Sequence, residues 1–261
     1  MCESDDNNQI VGVEMARLVE ATLVDLRFRV DFLAEYWTRD SEEDKAVYSW
    51  VILLGVLAHD VGSSIIPLTS ARRLRSAKIL LRSLFEYYLA LASYSIDSAK
   101  ALREANDAPT ALQKYFDGNK ARGLRIDFTA EEEIAFRKFM LDNQGRITRR
   151  IIQSDTQLVY GRDSDRGKFE YCSEYAYMSS FAHGGPLAFA DVFTVSDNEQ
   201  IRIHWTTLNL KDSHILCDAA YRLVHILQVI EELSGYCSAW KVHASRYDSI
   251  MENWNRSSAE R

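Results

Sequence analysis

Residues 70–94 read SARRLRSAKILLRSLFEYYLALASY, with neither glycine nor proline and a high content of Leu, Ala and Arg. Good helix formers in an unbroken run predict one long helix. At a spacing of about 3.6 residues, Leu74, Ala77, Leu81, Leu84, Phe85, Tyr88 and Ala92 share one side. Leu80, Tyr87, Leu91 and Tyr94 carry the apolar surface round the back. A helix that is apolar over most of its circumference belongs in an interior. Arg75, Arg82, Glu86 and Ser93 nevertheless form a narrow polar stripe along it. Charges so placed must be paired or face a cavity, because burying an unpaired charge is costly. The stripe is therefore the leading functional feature of the chain.

The rest of the chain supplies partners for such a helix. Only 3 Pro and 11 Gly interrupt 261 residues, so the long periodic stretches predict an all-α fold. The expectation is a single-domain bundle of about six or seven helices over residues 10–245. Residues 1–9 carry no hydrophobic anchor and are expected to be disordered, and 246–261 to form a loosely ordered tail. A first helix spans Ile10 to Trp37. Ser41 with Asp44 makes a variant capping box that opens a second, expected to end at Pro67. Thr129 with Glu132 opens another that runs to about Gln157, and 160–167 reads as a charged loop. A helix from Phe169 to His183 is stopped by Gly184, Gly185 and Pro186. Alternation on either side of 196–199 predicts a small β-hairpin insertion near 190–205. Asn209 or Asp212 then caps a last long helix reaching about Ala244.

Composition narrows the function classes. A net charge of −7 and a pI near 5.5 argue against a general polyanion binder, since phosphate affinity comes from clustered Lys and Arg. Cys2, Cys172, Cys217 and Cys237 are scattered without CxxC spacing, which suggests reduced thiols and no zinc knuckle. The acidic, polar start is unlike a signal peptide, and the most apolar run, Trp50 to Ala58, is too short to cross a bilayer. A soluble, cytoplasmic protein without membrane contact is expected. There is no GxxxxGK[ST] loop, no strand-borne GxGxxG, no HExxH or ExxH and no GxSxG, so no cofactor and no metal are expected.

Candidate chemistry gathers on two helices. Tyr175, Ser179 and His183 are four residues apart and share one face, with Tyr171 a turn earlier. Arg82 and Glu86, also four apart, can pair on the central helix. If the two helices pack face to face, Arg82, Glu86, Tyr175, Ser179 and His183 line one polar pocket. Such a pocket is either a buried hydrogen-bonded network or a small catalytic site. In the second case His183 moves a proton, Arg82 holds an anionic group and Glu86 orients one of them. Arg146, Arg149 and Arg150, with Arg72, Arg73 and Arg75, are candidate phosphate contacts or simply solvated charges. His59 and Asp60 read as a polar pair at the edge of the core, and His214 and His225 as core-edge histidines.

The segment Arg82, Ser83, Leu84, Phe85 and Glu86, followed by Tyr175, Ser179 and His183, resembles an uncharacterised bacterial family of helical domains, over roughly residues 40–240. That resemblance implies a fold and no activity. A looser likeness is to the HEPN group of helical ribonucleases, found in toxin and phage-defence systems, which cut RNA without metal by an Arg and a His on one helix. This chain departs from that spacing: no Arg lies shortly before His183, and Arg222 with His225 is tighter. The expectation is a cytosolic helical interaction or sensor protein, a component of a bacterial defence or stress cassette and a homodimer with a protein partner. The alternative is a metal-independent ribonuclease using His183 and Arg82, and only there does RNA enter as a partner.

Overall fold

A computed structural model describes residues 3–36, 41–104, 152–161, 164–170, 175–183, 193–195, 201–203, 211–235 and 238–259. Its frame is three long helices, α1 (Glu3–Tyr36), α2 (Glu42–Ser70) and α3 (Leu74–Ile96). Three shorter ones follow, α4 (Ile152–Tyr160), α5 (Asp165–Phe169) and α6 (Ala176–His183). After β1 (Phe193–Val195) and β2 (Ile201–Ile203), the described chain ends in α7 (Asp212–Ser234) and α8 (Ala239–Ala259). The fold is all-α. The strands pair antiparallel, Thr194 opposite Arg202, and the rest of the 190–205 insertion lies outside the described residues.

The helices form for the reasons their sequences carry. At the start of α2, Ser41 Oγ accepts from the Asp44 amide at 3.0 Å, and Asp44 Oδ2 accepts from the Ser41 amide at 3.1 Å. The capping box is thus complete with Asp in place of Glu. Leu18 and Leu26 of α1, Val51 and Ile65 of α2, Leu81, Phe85 and Leu89 of α3, and Leu223 and Ile226 of α7 close one continuous core. Each such side chain contributes about 1.5–3 kcal/mol on burial. α7 packs against α1, α2 and α3, while α4 and α6 lie on α3 and α8 lies on α1 and α7. Among the described residues α2 alone is long and apolar enough to cross a membrane; in the bundle it lies against α1, α3 and α7.

Two glycines set how closely α2 approaches its neighbours. A Cβ on Gly55 would sit 2.5 Å from Val30 Cγ2, and one on Gly62 would sit 2.9 Å from Leu23 Cδ2 and 3.1 Å from Leu223 Cδ1. Val30 is β-branched and stiff at χ1, so it cannot swing aside. Gly55→Ala gains helix propensity of about 1 kcal/mol but meets an overpacking cost of about 1–3 kcal/mol. A net loss is expected, read as a lower urea midpoint at an unchanged m-value. A raised midpoint would show that α1 yields at this contact.

The structure departs from expectation in five places. α2 continues past Pro67 to Ser70, because the Pro67 carbonyl still accepts from Ala71 and the exposed Ser63 above it can be hydrated. The last helix does not reach Ala244 unbroken. Gly235 adopts the left-handed conformation (φ 68°), closes α7 and lets α8 start in a new direction. Residues 246–259, read as a loose tail, belong to α8; there the Trp254 ring lies 5.3 Å from that of His214. α1 likewise begins at Glu3, within the stretch expected to be disordered. The charged loop after Tyr160 holds a short helix of its own, α5, because Ser164 Oγ accepts from the Gly167 amide. Residues 98–104 are also helical after a break at Asp97, so the described helices number nine, against six or seven expected.

Candidate functional site

Arg82 and Glu86 stand one turn apart on α3, and Arg82 Nε donates to Glu86 Oε1 at 2.9 Å. From the start of α6, Tyr175 reaches the same pair. Arg82 Nη2 donates to Tyr175 Oη at 3.1 Å, and Tyr175 Oη donates to Glu86 Oε1 at 3.3 Å. The guanidinium also lies 5.3 Å from the centre of the Tyr175 ring, which packs beside Phe85 at 5.7 Å. Burial, and then the Glu86 charge, raise the Tyr175 pKa against the opposing pull of Arg82. The phenol therefore keeps its proton and acts as donor. With 21% of the Arg82 side chain and 27% of Glu86 exposed, the triangle is neutral, internally bonded and still reachable by solvent.

The remaining predicted residues are placed less closely. Ser179 is half-buried a turn along α6. His183 is the last residue of α6, eight residues or about 12 Å of helix beyond Tyr175, and its side chain lies outside the described residues. Arg146, Arg149, Arg150 and the Gly184, Gly185, Pro186 stop also lie outside them. Of the stripe on α3, Ser93 is fully buried, donating to the Ala90 carbonyl at 2.8 Å and accepting from Lys100 Nζ at 2.9 Å. Among the described residues no three His, Cys, Asp or Glu side chains gather where they could hold a metal ion.

A second polar cluster, next to the first, was not expected. Arg222 on α7 has 7% of its side chain exposed and bonds through Nη2 to Glu170 Oε2, itself buried. Its guanidinium lies 4.6 Å from the Phe85 ring centre and 5.0 Å from that of Tyr221. Burial opposes the Arg222 charge, yet Glu170 outweighs it and holds the cation. Around the pair stand Arg166, 3.8 Å from Glu170, and the rings of Tyr88, Tyr160 and His225. Burial lowers the His225 pKa, and Arg222 and Arg166 push the same way, so the neutral ring donates from Nδ1 to Gln228 Oε1 at 3.0 Å. Burial likewise raises Tyr88 and Tyr160.

The two clusters share Phe85 and one segment of chain. Glu170 and Tyr175 are both π-helical, a widened turn common at functional positions. The segment between α5 and α6 thus gives a carboxylate to Arg222 and a phenol to Arg82. Arg222 could have been found from sequence, since it is a lone cation in the apolar face that runs from Ile215 to Ile230. Its partner could not, because Glu170 is 52 residues away. The chain matches no family model, no curated protein and no solved structure.

Proposed function

We propose that this chain is a cytosolic helical sensor or interaction protein, part of a bacterial defence or stress cassette, in which the Arg82–Glu86–Tyr175 triangle responds to an anionic ligand or partner. One observation carries the reading: the three groups satisfy one another while remaining partly exposed. A proton-transfer site needs a group poised near neutrality, and Tyr175 is moved away from it. A recognition site needs a cation that can exchange its internal acceptor for an external one. An anion bound at Arg82 releases Glu86 and Tyr175, and so weakens the hold of α6 on α3. Such a ligand shifts the protein only by its difference in affinity for the two arrangements.

Two measurements test this. Arg82→Ala is expected to speed amide hydrogen exchange in α6 while the amides of α7 stay protected. Unchanged exchange in α6 would mean that the triangle holds nothing in place. Induced in a bacterial host, the wild-type protein beside His183→Ala is expected to leave growth and total RNA unaffected in both. Toxicity with RNA cleavage, lost in His183→Ala, would overturn the sensor reading in favour of a metal-independent ribonuclease built on His183 and Arg82.

A further inference from the structure

The described residues enclose a hollow of about 510 Å³ between α1, the end of α2 and the start of α7. Small-molecule sites commonly occupy roughly 300–1,000 Å³. Val13, Ala16, Ile66 and Leu216 line it with apolar surface, and Arg72 and Lys211 supply two cations. A second hollow of about 480 Å³ continues from it, sharing Gln9 and Val13 and extending over Ile10 and Glu14. There Ile10 is left 63% exposed and Val13 47% exposed. The two together form a trough with Arg72, Lys211 and Asp212 at one end and, at the other, the face of α1 where Ile10 and Val13 are exposed beside Gln9 and Glu14.

The charged end has a definite balance. Arg72 Nη1 lies 3.5 Å from Asp212 Oδ2, and Lys211 is exposed beside them. At this end two cations against one carboxylate leave a single positive charge, and Glu14 farther along is paired with Arg17 and Arg246, so the head-group position suits a monoanion and disfavours a dianion that Asp212 would repel. Arg72 holds a left-handed backbone (φ 57°), a conformation costly for a residue with a Cβ and often found where a side chain serves a site. Behind Gly12, which also lines the hollow, the fully buried Ser213 has a hydroxyl with no hydrogen-bond partner among the described residues.

We propose that this trough binds a small amphiphilic carboxylate, its head group at Arg72 and Lys211 and its alkyl tail over Val13 and Ile10. The site does not depend on the sensor reading, because Arg72 precedes Arg82 by ten residues and lies in the turn between α2 and α3. A carboxylate replaces water at Arg72 with a charge-assisted bond, and the tail covers apolar surface that the bundle leaves open.

Calorimetric titration of the full chain with octanoate, octylamine and acetate tests it. Octanoate is expected to bind and to raise the melting temperature, while octylamine and acetate do neither. Arg72→Gly removes the cation and relieves the backbone, and is expected to weaken octanoate about tenfold while the protein stays folded by circular dichroism. Ala16→Phe fills the hollow and is expected to abolish binding. Should that variant fold poorly, Arg72→Gly decides alone. No octanoate binding to the wild type, equal binding of octylamine, or undiminished binding to Arg72→Gly would each overturn the proposal.

Discussion

Glu231→Ala is expected to lower the unfolding free energy by about 3–5 kcal/mol, the cost of stranding a partly buried charge. Glu231 is 1% exposed in the last turns of α7. Its Oε1 accepts from Arg29 Nε at 2.7 Å, and its Oε2 accepts from the backbone amides of Ser238 and Trp240 at 3.1 and 3.2 Å. One carboxylate therefore ties α1, α7 and the start of α8 together. The amides at the start of α8 have no partners within their own helix, so Glu231 does for them what a capping side chain does elsewhere. Removing it leaves a cation and two amides without acceptors at one point.

Urea unfolding with hydrogen exchange on α8 checks this. Exchange in α8 is expected to rise first, since His243 Nε2 with Asp25 Oδ2 at 2.6 Å then remains as a polar tie to α1. Glu231→Gln keeps an acceptor oxygen and should cost less, about 1–3 kcal/mol. If Glu231→Ala lost under 1 kcal/mol, the docking of α8 would rest on Trp240, Tyr247, Ile250 and Trp254 packed against the core.

Glu170→Ala is expected to cost a similar 3–5 kcal/mol, because Arg222 stays ionised with its acceptor gone. Its Nη1 already has no hydrogen-bond partner among the described residues, so the loss falls on a guanidinium with little else to bond. The double variant Glu170→Leu with Arg222→Met is expected to recover most of that loss. A buried pair replaced by apolar groups of like volume forfeits little, since neither charge has to be desolvated. Denaturant unfolding of Glu170→Leu, Arg222→Met and the double gives the coupling energy directly. A double variant as unstable as Glu170→Ala would mean that the pair contributes specific geometry as well as charge balance.

Both buried pairs join residues remote in sequence, 202 and 52 positions apart, and neither was legible beforehand. What could be read is what repeats locally. The apolar periodicity of α1 to α3 and α7 announced their helices, and Ser41 with Asp44 announced a start. The i, i+4 pairing of Arg82 with Glu86 follows from helix geometry alone. That Tyr175 meets this pair was only a conditional reading, since periodicity says which residues share a face but not which face it meets. Helix ends were harder. Proline is the stronger helix breaker of the two, yet α2 runs through Pro67 while Gly235 ends α7, because flanking carbonyls and exposure decide the outcome.

By itself, then, the sequence determined the helical class, the long apolar helices and the polar stripe on α3, all consequences of the 3.6-residue repeat acting over one or two turns. The tertiary structure alone decided that Glu231 anchors α8, that Glu170 neutralises Arg222, and that Tyr175 rather than another donor completes the Arg82 triangle. The physical reason is desolvation. A charge removed from water must find its partner wherever the packed chain brings one, and that partner is chosen by helix packing rather than by spacing along the sequence.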